Sequence, residues 1–145
     1  MYMRIRVAGL LIHNSCVLLV KHRKGKKSYW LLPGGGVKSG EAVQDALKRE
    51  LFEELKLHIE VGDFLFAVET IAQNATHILQ PTYVIHAKDP GSLAVGEDRR
   101  VVGFKFFRRS DIQNATIYPD IRIELQEFLA SGAISKRYFL KQWVE

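Results

Sequence analysis

The chain has 145 residues, 47% of them apolar and 26% charged, with a formal net charge of +5. That is enough to bury one respectable core, so a single domain over 1–145 is expected. The lone Cys16 excludes an intramolecular disulfide and suits a reducing cytoplasm, with the thiol expected as a small buried hydrophobe. The apolar run Val7 to Ile12 after Arg4 and Arg6 is too short for a signal peptide or a membrane span.

In chain order, Arg4 to His13 and Cys16 to His22 predict two β-rich runs joined as a hairpin at Asn14-Ser15. Lys24 to Lys27 predicts a mobile basic loop, and Tyr29 to Leu32 a strand that stops at Pro33 and turns through Gly34, Gly35 and Gly36. Ser39 is the expected N-cap of the next helix, which puts Glu41 in the first turn, where the dipole favours an anion. Along that helix Val43, Leu47, Leu51 and Leu55 recur every four residues and predict a buried stripe. Ile59 to Ile71 and Thr76 to Ala87 predict long strands around Gln73-Asn74. Asp89-Pro90-Gly91 opens a loop that closes at a further strand, Val101 to Phe107. Tyr118 to Ser131 predicts a terminal helix ended by Gly132, and Lys136 to Val144 fits neither helix nor strand clearly. No repeat, low-complexity tract or linker interrupts this α/β order.

The chemistry concentrates between Gly35 and Leu57. Glu50, Glu53 and Glu54 stand at i, i+3 and i+4, so they share an arc of roughly 100° on one helix face and repel one another. A hard divalent cation with oxygen ligands relieves that repulsion. A solvated face with Arg49 and Glu53 as an i, i+4 pair would also account for the three glutamates taken alone. The segment is not a Walker loop, because Val37 rather than glycine precedes Lys38-Ser39.

The full register resembles the Nudix box, G-x5-E-x7-R-E-U-x-E-E-x-G-U with U aliphatic. Gly35, Glu41, Arg49, Glu50, Leu51, Glu53, Glu54 and Leu57 fill eight of its nine fixed positions, and Lys56 replaces the last glycine. That glycine normally adopts a left-handed conformation past the helix end, at a cost of about 1 kcal/mol for other residues, so Lys56 puts the exit turn in question. The resemblance implies an α/β/α sandwich with a mixed sheet, the box helix and a C-terminal helix. It also implies hydrolysis of a nucleoside diphosphate linked to another moiety, with Mg²⁺ or Mn²⁺ as cofactor.

Carried over residue by residue, Glu50, Glu53 and Glu54 match the metal-binding carboxylates and the Gly34 carbonyl matches a further ligand. Arg49 matches the arginine that braces a glutamate, which its planar guanidinium can hold in two places. The resemblance also allows a general base from a later loop. Glu97, in Gly96-Glu97-Asp98, is the candidate for that role and for a metal contact, with Asp98 as the fallback. His22, Arg23 and Tyr29, with Gly35 and Gly36, are the candidate substrate contacts, a cation for phosphate and an aromatic ring for a base. His77 and His86 lack ligand spacing and read as structural.

ADP-ribose and nucleoside triphosphates are the first substrates expected. A nucleotide-sensing or RNA-sensing module without hydrolysis, and an RNA 5′-end pyrophosphohydrolase, are the alternatives. The basic residues are dispersed and no RNP or zinc-finger pattern is present, so a nucleotide-type small molecule is favoured over nucleic acid. No membrane partner is expected. A homodimer fits the resemblance, but no residues mark its interface.

Overall fold

The structure is a computed structural model that describes residues 2–72 and 76–142. Strand β1 (Tyr2–Leu10) is followed by β2 (Ile12–His13) and β3 (Cys16–Lys24), and the last two form the expected hairpin. Asn14 and Ser15 both take positive φ at its turn, 51° and 62°, the conformation a two-residue hairpin connection requires. Cys16 stands half-buried beside this turn rather than in the core. Strand β4 (Lys27–Leu31) pairs antiparallel with β3, and Lys24 stands opposite Lys27. The expected basic loop is therefore a tight turn, with Gly25 in the left-handed region (φ 64°).

The three glycines also differ from expectation. Gly34–Gly36 is a strand, β5, antiparallel to β1, rather than a turn. The missing side chain of Gly34 makes the close pairing possible: a Cβ there would lie 1.9 Å from the Val7 carbonyl oxygen. The box helix α1 (Val43–Leu55) starts four residues later than Ser39 and has no side-chain cap. Gly40 at φ 82° interrupts helical geometry, and a turn closes from the Glu41 N–H to the Lys38 carbonyl (3.0 Å). Glu41 thus precedes the helix. Within α1 the expected stripe holds, with Leu47, Leu51 and Leu55 fully buried. Lys56 adopts the left-handed conformation of the glycine it replaces (φ 54°, ψ 32°), and its N–H closes on the Phe52 carbonyl at 2.9 Å.

Strands β6 (Ile59–Ile71) and β7 (Thr76–Ala87) pair antiparallel over the predicted ranges, and β8 (Val101–Phe107) matches its prediction too. The connection at Gln73-Asn74 lies outside the described residues. A short helix α2 (Arg109–Ile112) precedes α3 (Arg122–Ser131), which starts four residues after the expected Tyr118. Residues 116–118 are held extended against β4 instead: the Trp30 N–H donates to the Thr116 carbonyl and the Tyr118 N–H to the Trp30 carbonyl. Pro119 further disfavours helical geometry at Tyr118. Gly132 ends α3 as predicted. The ambiguous tail contains β9 (Tyr138–Gln142), while Trp143 and Val144 lie outside the described residues.

The expected mixed sheet is present as five strands in the order β5-β1-β7-β6-β9, with β1–β7 and β6–β9 parallel. A second, antiparallel sheet centres on β3, which pairs with β2, β4 and β8. Helix α1 packs with Val7, Leu18, Val20 and Ile85 in one core cluster. Ile112 of α2 and Leu125 of α3 close a second, with Leu10, Leu19, Phe66 and Val68. Two layers of helix about the sheets are the arrangement expected from the sequence.

Candidate active site

The site begins at the open edge of β5. Gly9 donates to the Pro33 carbonyl and Val37 to that of Ile5, and Val7 faces Gly35 between them. Antiparallel alternation then turns the backbone groups of Gly34 and Gly36 away from β1, toward α1. The Gly34 N–H donates to Glu54 Oε1 at 2.8 Å, and the Gly36 carbonyl accepts from Arg49 Nη2 at 3.0 Å. A Cβ on Gly35 would lie 2.2 Å from the carboxyl carbon of Glu50. The Glu50 carboxylate therefore occupies the space that a side chain on Gly35 would take.

Arg49 organises the outer end. Its Nε and Nη2 grip both oxygens of Glu41 (2.8 and 2.9 Å), and Nη1 reaches Glu50 at 2.9 Å and Glu53 at 3.3 Å. The predicted brace is thus two-pronged on Glu41 and single on Glu50 and Glu53, and the i, i+4 pair is one arm of it. Hydrogen bonds from the Arg49 side chain, then from the Lys38 backbone, hold the Glu41 pKa down at about 2. Burial pushes the Glu50 carboxyl above its ordinary range, against the bond from Arg49.

Glu54 and His22 form the inner end. Both are buried, His22 on β3 rather than at the surface, and Nε2 lies 3.5 Å from Glu54 Oε2. That is beyond a good hydrogen bond, and both atoms are buried with no bonded partner.

The loop carrying Glu97 is docked on the end of α1. Ala94, Gly96 and Glu97 donate their N–H groups to the carbonyls of Leu55, Glu54 and Glu53 at 3.1, 2.7 and 3.1 Å. Glu97 therefore sits beside Glu53 on an anchored backbone, with its side chain exposed. Asp98 is engaged by Arg100, whose side-chain and backbone bonds outweigh burial and leave the acid below its usual range.

Beside this row opens a cavity of about 400 Å³. His22, Arg23, Tyr29 and Gly34 to Gly36 line it, so the structure gathers the predicted substrate contacts in one place. Arg4, Arg6 and Arg100 join them, and no acid lines the cavity. Period-two alternation on β1 already put Arg4 and Arg6 on one face, but nothing local pointed that face at a site. Arg100 arrives through β8, where its carbonyl accepts the Arg23 N–H at 3.2 Å. Arg6 is anchored by Gln80 (2.9 Å) and the Leu32 carbonyl (2.8 Å). Burial pulls its pKa down while Glu54 and Glu50 oppose that. Tyr29 meets Tyr118 in a tilted ring contact at 5.0 Å, and both line a second cavity of about 240 Å³ together with Lys24 and Lys27.

Among the described residues, no three His, Cys, Asp or Glu side chains form a ready cation cage. The donor set nonetheless fits a hard cation: Glu54 Oε2 is buried without a partner and burial disfavours charge on Glu50. A cation sharing its coordination with substrate oxygens would satisfy both.

A NUDIX domain model matches residues 3–128. The chain belongs to the NUDIX family. The nucleoside triphosphatase NudI of Salmonella arizonae is 36% identical over 66 residues, 43% of this chain and 47% of that protein. The match thus spans about half the length of that relative. The MutT NUDIX hydrolase of Burkholderia pseudomallei superposes with a TM-score of 0.75 at 29% identity, over 87% of this chain and 98% of the other. A NUDIX hydrolase from Nitrosomonas europaea shares the fold at a TM-score of 0.77 and 22% identity, over 94% and 93%. NUDIX hydrolases generally use divalent metal ions. Among the described residues no helix is long and apolar enough to cross a membrane.

Proposed function

We propose that this NUDIX chain is a Mg²⁺-dependent pyrophosphohydrolase of the cytoplasm that cleaves a diphosphate linkage in a nucleotide or nucleotide sugar, working as one domain over 1–145. The observation that carries this reading is a cavity lined by Arg4, Arg6, Arg23 and Arg100 and by no acid, whose lining glycines Gly34 and Gly35 abut Glu54 and Glu50. A polyphosphate laid there has guanidinium donors on one side and carboxylates on the other.

Glu50, Glu53 and Glu54 would hold the cation, with the Gly34 carbonyl on the same strand edge and Glu97 beside Glu53. Bound there, Mg²⁺ or Mn²⁺ would neutralise phosphate charge and lower the pKa of a water. The chain's own groups do the rest. Arg49 fixes Glu50 and Glu53 through Nη1. The arginines orient the phosphates, and Tyr29 offers an aromatic face for the base. The Glu97 carboxylate takes the proton of the attacking water as the new O–P bond forms, and the anhydride P–O bond breaks to release a phosphate anion.

The test is a phosphate-release screen with and without Mg²⁺ over ADP-ribose, other nucleotide sugars, dinucleoside polyphosphates, nucleoside triphosphates and 5′-triphosphorylated RNA, beside Glu53→Gln. The nucleoside triphosphatase activity in the name of the Salmonella relative makes triphosphates the first to try, with ADP-ribose next. Glu53→Gln is expected to lower kcat by about 100-fold or more, the scale of losing a group that stabilises the reacting centre. A variant at full rate would remove the box from catalysis, and nucleotide binding without any turnover would make the chain a sensor.

A further inference from the structure

The hairpin of β3 and β4 runs outward from the buried end of the site. His22 stands opposite Tyr29, and two residues further along Lys24 stands opposite Lys27. Opposed pairs two residues apart share one face of a hairpin. The buried histidine, the tyrosine and then two exposed lysines therefore follow one another along that face, with a step of about 7 Å between pairs. The tight turn through Gly25 and Lys26 fixes the register.

Lys24 and Tyr29 belong to two cavities at once. Both line the arginine cavity of about 400 Å³ and the cavity of about 240 Å³ that Lys27, Ser28 and Tyr118 complete. Among the described residues, neither lining contains an Asp or Glu. Arg4, Arg6, Arg23 and Arg100 serve a polyphosphate in the first cavity. The second offers different chemistry: two tyrosine rings in contact at 5.0 Å, a serine and two lysines. Like charges in directly opposed positions repel, and an anion set between them meets both at once. A lysine ammonium on its long stem binds phosphate as a point charge.

We propose that the second cavity receives a second phosphate of the substrate, on the far side of the nucleoside from the anhydride that the arginines hold. This rests on the pyrophosphohydrolase reading and narrows it to nucleotides phosphorylated on both the 5′ and the 3′ side of the ribose. Tyr29, common to both linings, meets the nucleoside between the two phosphates. The 3′ phosphate is a terminal group or the link to a further nucleoside, and either one presents anionic oxygens to Lys24 and Lys27.

The test uses ligands that contain no anhydride, so binding is read apart from hydrolysis. Calorimetry compares the affinity of the whole chain for adenosine and guanosine 5′-monophosphates with that for the matching 3′,5′-bisphosphates and for 5′-phosphorylated dinucleotides. The bisphosphates are expected to bind about 10-fold tighter or more, the scale of one added charge-assisted contact. Lys27→Gln, at an exposed position, is expected to bring that ratio close to 1. Lys26→Gln removes the same charge from the same turn, but from a residue that lines neither cavity, and the ratio is expected to persist. A ratio near 1 in the wild type, or equal loss in the two variants, would overturn the proposal. With the ratio present, dinucleotides that bind as the bisphosphates do would assign the second phosphate to an internucleotide link, and dinucleotides that bind as the monophosphates do would assign it to a terminal group. A ratio kept by a chain that cleaves no anhydride in the phosphate-release screen would remove the hydrolase reading and leave the second phosphate site standing. Phosphate release with a ratio near 1 would do the reverse.

Discussion

The two ends of the carboxylate row are held in opposite ways. At the outer end, Arg49 binds Glu41, Glu50, Glu53 and the Gly36 carbonyl, so every donor it offers is used. At the inner end, Glu54 keeps one oxygen on the Gly34 N–H, while its other oxygen and His22 Nε2 are buried without partners. A fully paired network acts as a brace. Buried polar atoms left unpaired are costly in a stable fold, so the inner end is where a ligand has most to offer. The glycine edge of β5 joins the two ends.

The sharpest way to break this arrangement is to add one carbon at that edge. Gly34→Ala drives a methyl to within 1.9 Å of the Val7 carbonyl, which is backbone and cannot yield locally. A loss of about 3 kcal/mol or more in denaturant unfolding is expected. Gly35→Ala meets instead the mobile end of Glu50, 2.2 Å away. That side chain can swing aside. The fold should then lose under about 1 kcal/mol, while kcat falls by about 100-fold because Glu50 no longer sits in the row. Equal stability losses in the two variants would mean that the brace, rather than the strand pairing, fixes this edge.

The outer brace has a pH signature. The Glu41 pKa is held at about 2 against an ordinary 4.5. A depressed carboxyl pKa stabilises the fold above the unfolded value and loses that contribution as pH falls through the folded one. The stability difference between the wild type and Glu41→Gln should therefore be constant above about pH 5. It should shrink below pH 4.5 and vanish near pH 2, as followed by urea midpoints. A difference that stayed flat to pH 2 would show that Arg49 does not depend on this carboxylate.

The smallest effect lies at the helix exit, beside Glu54. Lys56 holds a left-handed conformation that glycine adopts more cheaply, and its side chain is exposed. Lys56→Gly should raise stability by at most about 1 kcal/mol and leave turnover unchanged. A lowered kcat would show that the lysine acts on the site.

Where local pattern suffices, the chain could be read directly. The four-residue period of Leu47, Leu51 and Leu55, the Asn14-Ser15 turn and the apolar runs of β6, β7 and β8 each carry their own signal. The elements that were missed depend on partners. Three glycines read as a turn until β1 supplies a strand to pair with, and Tyr118 reads as helix until Trp30 draws residues 116–118 into extended geometry. Strand β9 becomes a strand only beside β6. Likewise Arg4, Arg6 and Arg100 looked like dispersed charge, because residues far apart in the chain converge only when β1 and β8 take their places.

The sequence by itself determined the carboxylate row and the family register, because those depend on spacing along one helix, where period and chain order fix position. Only the tertiary structure decided that Glu54 and His22 are buried together and that four arginines share one cavity. Those outcomes depend on strand register and sheet order, and a shift of one residue in either would send each side chain to the other face.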